Sequence, residues 1–279
     1  MQLIDSHQHF WRMADRQGQW PPASLAAIHR DFEPDDLRPI LRACGVDGTV
    51  LVQSLPRVSE TVSLLQLADQ QSFVRGVVGW VDLKAVDVAA QIAKLVRHPR
   101  LKGLRPMLQD LDDDSWIADP ALDPAVTAIC SHGLCFDVLV LPRQLAALTW
   151  FARRHPQLPI IIDHAAKPVI TRGEFSSWFD DMRWLAELPN VHCKLSGLLV
   201  EAGPNPTAGQ VQPYIDAIYA LFGPQRLMWG SDWPVLTLVA SYEAWLAMAL
   251  GFCEAQPGAS DDTLSAIFGD NARRLYRLD

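Results

Sequence analysis

Cysteine is scarce in this chain and has no pairing pattern. Its five cysteines (Cys44, Cys130, Cys135, Cys193 and Cys253) lie in apolar segments, with no C-x-x-C spacing. An odd, unpaired set argues against a disulfide framework, a zinc ribbon or a redox dithiol, and reads as buried free thiols. Long hydrophobic runs are also missing, since none approaches 18 residues without a charge or a breaker, so no membrane-spanning helix is expected. There is no basic segment followed by an apolar core and cleavage site, which points to the cytoplasm. Positive charge is in the minority, with 24 Lys and Arg against 32 Asp and Glu for a net charge of −8, and forms no cluster. Nucleic acid and anionic membrane are therefore not expected as partners; a small molecule is. With 49% hydrophobic and 20% charged residues and no low-complexity tract, the chain should be folded throughout.

What is present is alternation. Short apolar, β-branched runs recur at 3–10, 48–54, 74–83, 101–107, 135–140, 159–165, 191–197 and 226–234. Amphipathic stretches lie between them, the mark of βαβ units around a parallel sheet. The stretches carry their own punctuation. Pro34 and the acidic residues after it open one that closes at Gly45, and another begins near Ser59. Stretches 120–132, 142–155, 175–188 and 209–222 end at Gly133, Pro156, Pro189 and Gly223, as helix stops should. After the eighth run come a helix over 241–255 and a closing one that starts at Ser260. Eight strands with seven crossovers predict an α/β fold, a (β/α)8 TIM barrel, as one domain over 1–279. The segment 11–34, rich in Trp, Pro and Arg, is too long for a plain connection and is expected to cover the site.

In such a barrel the active site forms at the C-terminal ends of the strands. His7 and His9 end the first run, Gln53 the second, Trp80 and Asp82 the third and Arg105 the fourth. His164 ends the sixth, Lys194 and Ser196 the seventh, and Asp232 the eighth. In "IDSHQHF" the period of two puts Asp5, His7 and His9 on one face, the two imidazoles about 7 Å apart. Taken singly, His164 reads as a core histidine and Asp232 as a turn cap. Together at one rim they read as a shared pocket. His29, His98, His132 and His155 fall on helices or helix ends, and His192 at the far end of the barrel, so none is given a role.

With "DSHQHFW", "DHAAKP" and "WGSDWP" on the first, sixth and eighth strands, the sequence resembles the amidohydrolase superfamily over nearly its whole length. It is most similar to the lactonase branch that includes L-fucono- and L-rhamnono-lactone hydrolases and 2-pyrone-4,6-dicarboxylate lactonase. The resemblance implies that His7 and His9 form the H-x-H pair, His164 the mid-barrel histidine and Asp232 the strand-eight aspartate. Two-metal members bridge their ions with a Lys or Glu on strand four and use a further histidine on strand five. Here those places hold Arg105, a poor ligand, and "CFDVLV". At most one divalent, zinc-like ion is therefore expected, on His7, His9, His164 and Asp232, or none at all.

Opening a lactone needs an activated water and a group that holds the carbonyl oxygen as it gains charge. Asp232 is expected to be the base, and His7, His9 and His164 to face the carbonyl. Arg105 and Lys194 suit oxygen-rich groups. Gln53 and Asp82 suit hydroxyls, and Trp80, Trp11 and Trp233 suit a sugar ring. A neutral aldono-lactone fits this set better than a dicarboxylate, which would call for several arginines. Two rivals stand beside it: a metal-dependent decarboxylase of the same superfamily, and a sugar-binding barrel without catalysis.

Overall fold

The computed structural model describes residues 1–278. Eight strands run in the order of the sequence, each parallel to the next: β1 Ile4–Gln8, β2 Gly48–Val52, β3 Val74–Gly79, β4 Leu101–Leu104, β5 Cys135–Val138, β6 Ile160–Ile162, β7 Val191–Leu195 and β8 Leu227–Trp229. The ring closes between its ends. Ser6 Oγ donates to the Trp229 carbonyl at 2.6 Å, His9 N to the Trp233 carbonyl at 2.7 Å, and Asp232 N to the His7 carbonyl at 2.8 Å. The fold is the expected (β/α)8 barrel. Each strand is shorter than its apolar run, because the last residues of a run leave the ladder to form the rim.

Helices α1 Pro34–Cys44, α2 Val58–Gln70, α3 Val88–Leu95, α4 Asp123–Ser131, α5 Leu145–Arg154, α6 Ser176–Ala186, α7 Leu198–Glu201, α8 Ala208–Phe222, α9 Tyr242–Glu254, α10 Asp261–Ser265 and α11 Asn271–Leu275 accompany the sheet. Local chemistry sets their ends. In α1, Glu33 and Asp36 cap each other's backbone and Gly45 stops the helix in the left-handed conformation, as capping rules require. Apolar side chains between strands and helices form one core. A second, smaller core fills the barrel interior with Ile4, Val50, Val52, Val78, Ile161 and Met228. Ala272, Tyr276 and Leu278 join this inner core, so the C-terminal segment stops the lower end of the barrel and leaves the C-terminal rim for chemistry. Among the described residues, no helix is long and apolar enough to cross a membrane.

Candidate active site

Strand β1 does not keep a strict period of two. Its register against β2 slips between Asp5 and Gln8, and one extra residue reverses the facing of the residues after it. Asp5 is therefore out of phase with the histidines, contrary to simple alternation. It accepts hydrogen bonds from Ser231 N (2.8 Å), Ser231 Oγ (2.6 Å) and Tyr242 Oη (3.0 Å), which tie β1 to the β8 loop and α9. Burial still pushes its carboxyl up to about 6. His7 and His9 meet, with their Nε2 atoms 3.1 Å apart.

His164 reaches the same place from a turn of unusual hand. Residues His164, Ala165, Ala166 and Lys167 all have φ between +50° and +60°, a conformation that costs each non-glycine residue about 1–2 kcal/mol. Tertiary contacts hold the turn. Trp178 Nε1 donates to the Ala165 carbonyl at 2.8 Å, and Lys167 Nζ pairs with Glu201 at 2.5 Å. Gly197, itself at φ +70°, lies so close that a Cβ there would stand 2.7 Å from the His164 ring. The fourth member, Asp232, sits at φ +58° just beyond β8. Its Oδ1 lies 3.3 Å from His9 Nε2, 3.7 Å from His7 Nε2 and 3.8 Å from His164 Nε2. The four residues expected to converge are together, and all are buried.

Beneath them lies a network of buried charges whose carboxylates are absent from the expected residues. Lys194 Nζ contacts Asp137 Oδ2 at 2.6 Å, Asp163 Oδ1 at 3.0 Å and His7 Nδ1 at 3.2 Å. Arg105 Nη1 donates to Asp163 Oδ2 at 3.0 Å, and its Nη2 to the Gln53 carbonyl. Two cations and two carboxylates thus balance in a dry interior, as buried charges must. Asp137 and Asp163 were the missed members. Each is a lone acid in an apolar strand run, and such a residue in a buried strand needs a cation.

The rim opens into a cavity of about 480 Å³ whose lining includes His9, His164, Asp232 and Arg105. Of the other expected binding residues, none lines it. Lys194 is fully buried below it, and Gln53 is spent on the Arg105 carbonyl (2.8 Å). Trp80 and Asp82 lie beyond β3, bonded through their own turns to Thr61 and Lys84. Trp11 packs on Trp20 and Phe32, and Trp233 on Phe10 and Phe32. The aromatic residue that does face the cavity is Trp20. It comes from the 11–34 segment, which buried Arg16 holds down: Nε donates to the Trp20 carbonyl (2.8 Å) and Nη1 to Ser54 Oγ (2.9 Å) and Glu60 (2.8 Å). Met107, Leu139, Val235 and Leu238 extend the apolar wall, and Gln109, Asp110 and Lys167 add polar groups.

The hydrogens in the cluster can be counted. A carbonyl only accepts, so His9 Nδ1, 2.7 Å from the Val52 carbonyl, must donate, and a neutral His9 presents a bare Nε2. Burial first, then the Lys194 charge, hold His7 well below the ordinary imidazole range, and burial lowers His164 to about 4. Burial raises the Asp232 carboxyl, but the imidazoles around it, His164 first, outweigh burial and lower it below the ordinary carboxylate range. Several acceptors thus face one point with few hydrogens between them. That point suits a water that donates or a cation. The spacings suit zinc, whose bonds of about 2.0–2.1 Å set tetrahedral ligand-to-ligand edges near about 3.3 Å. His7, His9 and Asp232 form one donor group, and His7, Asp163 and His164 a second.

The amidohydrolase family model matches residues 4 to 278. Among curated proteins, the L-fucono-1,5-lactonase of Burkholderia ambifaria is 54% identical over 99% of this chain and 96% of its own. The L-fucono-1,5-lactonase of Burkholderia multivorans is 36% identical over the same shares. A crystal structure of an amidohydrolase from Burkholderia multivorans with bound zinc superposes with a TM-score of 0.93 at 36% identity, covering all of both chains. With that match over nearly its full length, and the rim histidines and aspartate in place, this chain belongs to the amidohydrolase family.

Proposed function

We propose that this protein is a lactonase that opens a small sugar-derived lactone, with Asp232 as the base that takes a proton from water. The observation that carries this reading is the Asp232 carboxylate, set within 3.8 Å of three imidazole Nε2 atoms on the lining of a cavity sized for one sugar ring. A water that donates one hydrogen to Asp232 lies beside the carbonyl carbon. As water oxygen bonds to that carbon, its proton passes to Asp232, and the carbonyl oxygen gathers negative charge that the Arg105 guanidinium on the cavity lining, or an ion held by the cluster, would offset. When the ring C–O bond breaks, Asp232 returns the proton to the departing oxygen. The product is an open hydroxy acid.

His7, His9 and Asp232, with His164 alongside, would hold a single divalent ion, which when bound would polarise the carbonyl as a Lewis acid. Arg105, whose Nε has no partner, faces ring or carboxyl oxygens. Trp20 and the aliphatic wall take the C–H face of the ring. The relatives named as L-fucono-1,5-lactonases support a hydrolase over a decarboxylase, and a carboxylate among three imidazoles is more than sugar recognition requires. A pH-indicator screen of aldono-1,4- and 1,5-lactones tests the reading, since hydrolysis releases a proton whatever the sugar. No turnover on any of them, or carbon dioxide release from an aromatic acid, would overturn it.

A further inference from the structure

We propose that the ammonium of Lys194 is a resident cation that holds His7 in its Nε2–H form and so sets how tightly the His7, His9 and Asp232 triangle takes a divalent ion. The two donor groups share His7, and in one of them His7 and Asp163 already meet a cation. Lys194 Nζ stands 3.2 Å from His7 Nδ1 and 3.0 Å from Asp163 Oδ1, atoms that are themselves 3.4 Å apart. An ammonium has hydrogens and no lone pair. Its contact with Nδ1 therefore makes that nitrogen the acceptor and puts the single imidazole hydrogen on Nε2. The bare Nε2 of His9, 3.1 Å away, accepts it, while His9 Nδ1 donates to Val52. The chain of donors from Lys194 through His7 to His9 is complete and one-directional.

A nitrogen that carries hydrogen cannot ligate a metal. For His7 Nε2 to do so, its proton must leave and one must arrive at Nδ1, which would then donate to Asp163 Oδ1 while Lys194 gives up its contact. No net proton is gained or lost, yet one hydrogen bond of the ammonium is. Nothing displaces Lys194 easily. It has no exposure, and Asp137 Oδ2, 2.6 Å away, also accepts from Tyr276 Oη at 2.6 Å on the segment that stops the barrel. Burial lowers the Lys194 basicity, but Asp137 and Asp163 outweigh it and keep the group charged. Lys194 is thus a positioning residue rather than a wall of the pocket.

The inference rests on the triangle being the site that takes an ion, and its readouts are metal affinity and ring protonation, so it can fail while the lactonase reading stands. Zinc affinity is measured on chelator-stripped full-length protein by competition with a chromophoric chelator. The variants are Lys194→Met, which removes all three donors, and Lys194→Met with Asp137→Asn, which also removes the carboxylate left behind. Both should bind zinc at least tenfold more tightly than the parent, and equal or weaker binding overturns the proposal. If neither variant folds, the parent decides alone. Nitrogen-15 histidine spectra of the metal-free protein, assigned for His7 by the loss of its signals in His7→Gln, should show hydrogen on Nε2. A His7 ring with hydrogen on Nδ1 would refute the role.

Discussion

His9 Nε2 lies 3.3 Å from Asp232 Oδ1, although the bond from His9 Nδ1 to the Val52 carbonyl leaves that nitrogen without a hydrogen to offer. Two acceptors at this distance repel each other unless something with positive character lies near both. In catalysis that is the hydrogen of the attacking water, and it makes Asp232 the group whose loss is least tolerable. Asp232→Asn preserves shape but cannot accept a proton, so kcat should fall by about 10²-fold or more, the scale of general-base loss. KM should move far less, because Arg105 and Trp20 remain. Steady-state kinetics on the lactone that scores best in the screen checks this, and a variant with near-normal kcat would place the base elsewhere.

Gly197 supports His164 from behind. Gly197→Ala puts a methyl 2.7 Å from the imidazole at a φ that favours glycine, so the ring must shift or the backbone must. A displacement of this kind near reacting atoms is expected to cost kcat about tenfold to 10²-fold. The backbone change should lower stability by about 1–2 kcal/mol. Urea unfolding and kinetics on the same preparation separate the two effects. An unchanged kcat would show that His164 tolerates movement.

The barrel was legible because its strands are buried on both faces and read as unbroken apolar runs, closed off by Gly and Pro. The rim histidines and Asp232 were legible because polar groups at the ends of such runs have few other reasons to be there. Asp5 was misplaced because one slipped residue in β1 reverses alternation and leaves no mark in residue types. The charge network under the site escaped notice because Lys194 meets Asp137 and Asp163 across separations of 57 and 31 residues in sequence, a pairing only the closed barrel creates. Among ten tryptophans nothing local marks Trp20 as the one facing the cavity. Its position depends on Arg16 reaching Ser54 and Glu60.

That dependence gives a contrast that kinetics can read. Trp20→Ala removes the aromatic wall of the cavity and should raise KM about tenfold, near 1.4 kcal/mol of binding, with a smaller change in kcat. Trp80→Ala, beyond the cavity, should leave both constants within about twofold. If the two variants behave alike, the sugar ring does not rest on Trp20.

Stability toward acid should be governed by histidines that are buried neutral. His164 and His192 both titrate near 4 in the folded protein, each mainly through burial, against about 6.5 unfolded. Between those values the unfolded chain binds more protons, so each contributes stability that is complete above pH 6.5 and is lost as pH falls toward 4. Asp5, raised to about 6 by burial, acts in the opposite sense: from pH 4 to 6 the folded state holds its proton and the unfolded chain does not. The lowered histidines outweigh Asp5, so unfolding near pH 5 takes up protons and stability falls as the pH falls. His7, also lowered, adds to this fall, Asp163 and Asp232 add to it only at lower pH, and Asp137, raised by burial, opposes it. His192 lies at the end of β7 away from the site, so His192→Gln tests the account without touching catalysis. Urea unfolding from pH 7 to 4.5 should show a slope shallower by about one proton in the variant, with lactone turnover at neutral pH unchanged. Parallel slopes would mean that His192 titrates alike in the folded and the unfolded protein.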